Sequence, residues 1–94
     1  MTKDLHTPDN ETLIEFPCDY RVKAMGRNSE EFIDIVYEIT CKYAPGTPRE
    51  NIKINPSKGD RFISVNVTIY ATCLEQLHGI YGDLKKHPEV LMSL

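Results

Sequence analysis

Between residues 60 and 84 the hydrophobic period of the chain changes from two to about 3.6, and the change falls at Ala71-Thr72. Before it, Ile63, Val65, Val67 and Ile69 alternate with Phe62, Ser64, Asn66, Thr68 and Tyr70, the pattern of a strand with one face in a core. After it, Leu74, Leu77, Ile80, Tyr81 and Leu84 recur at helical spacing. A half-buried strand that runs straight into an amphipathic helix returns that helix to a sheet, which points to an α+β layout.

The flanking segments extend the pattern. Tyr20, Val22 and Ala24 alternate with Arg21, Lys23 and Met25, giving a first strand over about 19–25 with one apolar and one basic face, ended by Gly26. Asn28 is expected to cap the next helix, with Glu31 completing a capping-box-like pair and Glu30 and Glu31 suiting the positive helix end. That helix runs to about 43 with Phe32, Ile35, Val36, Ile39 and Tyr43 on its stripe, and Ala44-Pro45-Gly46 stops it. A second strand spans about 50–55, with Ile52 and Ile54 facing away from Asn51 and Lys53, and residues 56–60 form a hairpin turn by composition. Thr72 and Glu75 have capping-box spacing at the start of the second helix, and Lys85, Lys86, His87 and then Pro88 mark its end. Residues 89–94 read as a closing strand with Val90, Met92 and Leu94 on one face.

The order β-α-β-β-α-β is that of a ferredoxin-like two-layer sandwich: an antiparallel four-stranded sheet with two helices on one face. Residues 1–12 are polar, carry Pro8 and show no period, so a flexible N-terminal arm is expected there. Residues 13–94 are expected to form a single domain, with Leu13, Ile14 and Phe16 folding back over its edge.

Composition narrows the function classes. The chain has 94 residues, 40% hydrophobic and 27% charged, which suits one small globular domain with a thin core and not a disordered chain. No run approaches the ~18 apolar residues of a membrane span, and the first residues lack the apolar segment of a signal peptide, so the expected location is the cytoplasm, away from membranes. Cys18, Cys41 and Cys73 are odd in number and widely spaced, the usage of separate reduced thiols. A net charge of −3 argues against nonspecific binding to nucleic acid.

No constellation meets the requirements of catalysis. His6, His78 and His87 are scattered, and no nucleophile-base pair, acidic dyad or metal-ligand spacing stands out, so a non-enzymatic module without cofactor or metal is expected. The sheet face left uncovered by helices is the largest candidate surface. It would carry Arg21, Lys23, Lys53, Ser64, Asn66 and Thr68 as an interaction surface, with Phe62, Tyr70, Leu91 and Ser93 beside them. An RNA-recognition sheet places aromatic residues where this chain has Ser64, Asn66 and Thr68, which argues against nucleic acid and for a protein partner. The chain itself is expected to be a monomer or a weak homodimer. Residues 25–29, Met-Gly-Arg-Asn-Ser, supply a second candidate: Gly26, Arg27 and Asn28 would turn backbone amides toward a small-molecule effector bearing an anionic group. Glycine at a tight strand-to-helix turn is usually just a backbone requirement.

Phe16-Pro17, Lys23, Met25-Gly26, Ala44-Pro45-Gly46, Ser57-Lys58-Gly59, Ser64-Val65, the Glu75-Gln76-Leu77 helix and Ile80-Tyr81, in this order, resemble the YbeD-like family of small bacterial proteins of uncharacterised function. The resemblance covers about residues 14–94. It implies a ferredoxin-like domain similar to the ACT regulatory modules of amino-acid metabolism, and a regulatory link to lipoate or glycine-cleavage metabolism. In ACT modules a glycine after the first strand helps bind an amino acid at a dimer interface. Gly26 occupies the comparable position, followed here by Arg27-Asn28 in place of an acidic or proline-glycine signature.

Overall fold

The computed structural model describes residues 15–93. The expected arm at 1–12, with Leu13, Ile14 and Leu94, lies outside these residues. The elements are β1 (Cys18–Arg27), α1 (Glu30–Tyr43), β2 (Ile52–Pro56), β3 (Phe62–Ala71), α2 (Leu74–Lys86) and β4 (Val90–Ser93), with short 3-10 turns on either side of β2. The strands lie in the order β2-β3-β1-β4, and every pairing is antiparallel. This is the expected βαββαβ sandwich.

The core forms where the helices meet one face of the sheet. Val22 and Ala24 of β1 and Ile63, Val65, Val67, Ile69 and Ala71 of β3 pack with Phe32 and Val36 of α1 and Leu77, Ile80 and Leu84 of α2. Phe16 packs against this cluster. On α1 the buried line is Phe32, Val36 and Thr40, so the stripe is turned slightly from the expected one. Ile35 is only half-buried and takes no part in the cluster, whereas Thr40 is admitted because its hydroxyl donates to the Val36 carbonyl at 2.7 Å and needs no water.

Both expected helix caps shift by one residue. Ser29, not Asn28, caps α1 by accepting from the Phe32 amide at 3.0 Å. Cys73 is the N-cap residue of α2 and makes no side-chain cap. The reach-back there comes from Gln76 instead of Glu75: its Oε1 accepts from the Thr72 amide at 2.7 Å, while its Nε2 donates to the Tyr43 carbonyl at 2.8 Å. One side chain thus closes the start of α2 and holds the end of α1, a double use that a carboxylate with no N–H cannot make.

The closing strand departs further from its reading. Met25 pairs with Met92 but Gly26 pairs with Val90, so Leu91 is an extra residue, a bulge in β4. Val90 faces the core cluster, while Met92 lies opposite Met25 on the other face of the sheet. Ser93, opposite core-facing Ala24, is on the helix side. Met92 and Val90 therefore do not share a face, and Ser93 leaves the open one.

Candidate functional surface

Gly26 lies inside β1, buried beneath α1, and does not end the strand. A Cβ at this position would meet Phe32 and the Glu89 carbonyl, so the glycine is needed for close approach of helix and sheet. Asn28 is engaged on both its backbone and its side chain. Its amide donates to the Arg61 carbonyl at 3.0 Å and its Nδ2 to the Asp60 carbonyl at 2.9 Å, tying the β1–α1 connection to the β2–β3 turn. That turn is shaped by two residues with positive φ, Gly59 at 84° and Asp60 at 58°. Arg27 is exposed at the end of β1, opposite Phe62. Clefts of about 480 and 490 Å³ lie beside β4, near Tyr20, Tyr81 and Lys85, and where β3 meets α2, near Tyr70 and Gln76. Neither borders the Gly26–Asn28 connection.

Among the described residues the other sheet face carries no helix. The ladder register orders its side chains into cross-strand rows: Asp19 with Tyr70, Arg21 with Thr68, Lys23 with Asn66 and Lys53, Met25 with Ser64, Asn55 and Met92, and Arg27 with Phe62. Adjacent strands are about 4.8 Å apart and successive rows about 6.8 Å, so this is a regular array of polar and apolar groups. All six residues expected to form the interaction surface, Arg21, Lys23, Lys53, Ser64, Asn66 and Thr68, fall on it. Four cations, Arg21, Lys23, Arg27 and Lys53, stand against one carboxylate, Asp19. In a chain of net charge −3 the negative excess must then sit elsewhere, and Glu30, Glu31, Asp34 and Glu38 are on α1. Among the described residues none of the four cations forms an ion pair with a partner.

Two features of this face were not visible in the sequence. Ser64 and Asn66 are 7% and 4% exposed although no helix or strand among the described residues covers the sheet there. Asn66 Nδ2 reaches the Lys53 and Ser64 carbonyls at 3.4 Å and Ser64 Oγ at 3.3 Å, all longer than well-formed hydrogen bonds. Among the described residues its Oδ1 accepts nothing. At the rim, Met25, Phe62, Leu91 and Met92 line a hollow of about 230 Å³ with the Gly26 backbone at its base. Leu91 and Met92 are 63% and 54% exposed. The β4 bulge creates this hollow, and no periodicity in a four-residue strand announces a bulge.

On the helix side two pairs of opposite charges are matched. Lys42 Nζ is 2.9 Å from Asp83 Oδ2, and the Tyr43 hydroxyl donates to the same oxygen at 3.0 Å, joining α1 to α2. The hydrogen bond from Lys42, aided by that from Tyr43, lowers the Asp83 carboxyl below the usual carboxylate range. Asp34 pairs with Arg49, whose guanidinium lies 5.1 Å from the Tyr37 ring centroid, and the Tyr37 hydroxyl donates to the Thr47 carbonyl at 2.7 Å. The half-buried Cys41 approaches the same carbonyl, Cys18 is half-buried, and Cys73 is exposed. Among the described residues no group of three or more His, Cys, Asp or Glu side chains is placed to hold a metal ion, and no helix is long and apolar enough to cross a membrane.

Fold and surface together define a class: ferredoxin-like α+β sandwiches with a cationic sheet face that no described helix covers. The sequence places the chain more narrowly. The family described as "Protein of unknown function (DUF493)" matches residues 11–94, and the chain belongs to it. It is 36% identical to a UPF0250 protein of Bordetella pertussis over 87 residues, covering 93% of this chain and 96% of the relative. It is 37% identical to a UPF0250 protein of Nitrosomonas europaea over 84 residues, covering 89% and 97%. These are the YbeD-like bacterial proteins that the sequence motifs resemble. The solution structure of protein HP0495 from H. pylori has the same fold, with a TM-score of 0.67 at 21% identity over 100% of this chain and 94% of that one.

Proposed function

We propose that the protein is a non-enzymatic regulatory or adaptor module that binds a partner protein through its uncovered sheet face. The observation that carries this reading is the segregation of charge. Cations that no described residue pairs are gathered on the one sheet face without a helix, beside an exposed apolar rim, while the acidic helix α1 lies on the other side. An extended sheet surface with cationic and apolar parts suits a protein partner better than a small metabolite, which binds in enclosed concave sites. The stacking geometry of RNA-binding sheets is not favoured, because Phe62 and Tyr70 are separated by Ser64, Asn66 and Thr68. Occupation of the Gly26–Asn28 connection by an effector is the weaker alternative, since Gly26 is packed and Asn28 already holds two partners.

The test is affinity capture from the native cell with the tagged chain, beside a Lys23→Glu, Asn66→Arg variant. A partner held by the parent chain and lost in the variant supports the reading, and its identity tests the implied link to lipoate or glycine-cleavage metabolism. Capture that is indifferent to the face removes it.

A further inference from the structure

We infer that the partner presents an extended acidic segment, with one carboxylate over the Lys53–Asn66–Lys23 row and an apolar side chain in the hollow of Met25, Phe62, Leu91 and Met92. The inference rests on the docking reading above and adds the chemistry of what docks. Its first support is the row itself. Register puts Asn66 on the central strand directly between Lys53 of β2 and Lys23 of β1, with Arg21 beyond Lys23 in the next row. These groups are donors: two ammonium groups, a guanidinium and the Asn66 amide N–H₂, with the Ser64 hydroxyl one row on. A carboxylate, which only accepts, is their complement, and charge-assisted hydrogen bonds to it are the strong kind.

The second support is Asn66. It is 96% buried by the 4% exposure of its residue, yet its donors make only the long contacts of 3.3–3.4 Å. Its carbonyl oxygen accepts nothing among the described residues. A buried amide left in this state, in the middle of a sheet face that no described element covers, is a group that a ligand would satisfy: N–H₂ to a carboxylate, C=O from a main-chain amide. The third support is spacing. The apolar hollow begins one row away, at Met25 and Met92, about 6.8 Å along the strands. That equals the separation of residues i and i+2 in an extended chain, whose side chains point the same way. A segment of the pattern acidic-x-apolar fits both places at once. A second copy of this chain docking face to face would set Arg21, Lys23, Arg27 and Lys53 against their own equivalents, so like charges disfavour that occupant.

The experiment selects a random displayed peptide library against the whole immobilised chain and measures the enriched peptides by fluorescence anisotropy. They are titrated against the parent chain, a Lys23→Glu, Lys53→Glu variant, the milder Lys23→Gln, Lys53→Gln variant and Asn66→Arg, with thermal melts establishing that each folds. The expected result is enrichment of Asp or Glu two positions from Leu, Ile, Phe or Met. Affinity should fall at least about tenfold on charge reversal, less on neutralisation, and weaken with salt. Peptides of other composition that Asn66→Arg abolishes and the lysine variants spare overturn the acidic assignment while leaving the docking face intact. If no selected peptide responds to any face variant, both the assignment and the docking reading fall. A uridine homopolymer retained by the parent chain and released by lysine reversal gives the cations to RNA and overturns the inference, as does a dimer that lysine reversal dissolves.

Discussion

The Phe32 ring of α1 closes over Gly26 of β1, so that a Cβ on the glycine would lie 2.5 Å from Phe32 Cε1 and 2.7 Å from the Glu89 carbonyl oxygen. Phe32 is fully buried in the core, and the carbonyl belongs to the backbone entering β4. Neither gives way without moving an element. Gly26→Ala is therefore expected to destabilise the fold by about 2 kcal/mol, the range of overpacked cores, measured as a lower denaturant midpoint with unchanged slope. A variant as stable as the parent would show that the helix and sheet are further apart.

The two glycines of α2 make opposite predictions. A Cβ at Gly79 would collide with the Tyr43 ring, whereas at Gly82 it would meet nothing within 4 Å. Gly82→Ala is expected to raise stability by about 0.5–1 kcal/mol, because alanine loses less backbone entropy in a helix. Gly79→Ala should lower stability by displacing Tyr43 from Asp83. Thermal melts of the two variants side by side check the sign of each.

Gln76 is expected to matter more than its neighbour Glu75. Removing it breaks the contacts to Thr72 and Tyr43, so Gln76→Ala should cost about 1–2 kcal/mol. Glu75→Ala, which breaks no hydrogen bond among the described residues, should stay within about 0.5 kcal/mol in the same urea titration.

The Lys42–Asp83 contact gives an acid-side dependence of stability. The folded-state pKa of Asp83 is lowered, so its contribution is present above the unfolded carboxylate value of about 3.9 and is lost as the pH falls through the folded value. Lys42 is raised chiefly by its hydrogen bond to Asp83, and its share is lost only as the pH rises through that raised value. The stability difference between the parent and Asp83→Asn should accordingly be open at neutral pH and close under strongly acidic conditions, as read from denaturation midpoints across pH. A difference that stays constant to low pH would mean that Asp83 acts without its charge.

The alternation in β3 and the helical stripe of α2 were legible because many residues repeat a period, and each repeat reinforces the same facing. The six residues expected on the open face were legible for the same reason: Arg21 and Lys23 follow from Val22 and Ala24, Ser64, Asn66 and Thr68 from Val65 and Val67, and Lys53 from Ile52 and Ile54. Caps and bulges depend on single residues. Asn28 and Ser29 are both good cap residues, and the choice fell to Ser29 because the Asp60 and Arg61 carbonyls, more than thirty positions away in sequence, engage Asn28. Likewise Glu75 and Gln76 stand one apart, and Gln76 is used because the end of α1 lies within reach of its amide.

By itself, the sequence determined the order of elements, the two-layer sandwich and the facing of β1, β2 and β3, since these follow from periodic burial of apolar side chains along a local stretch of chain. Only the tertiary structure decided that Gly26 is packed beneath Phe32, that Asn66 is buried between two lysines, and that a bulge at Leu91 turns Met92 toward Met25 to make an apolar hollow. Each of these depends on the register of strands distant in sequence or on the approach of a helix to a sheet, and no local period encodes which residues meet across such a gap.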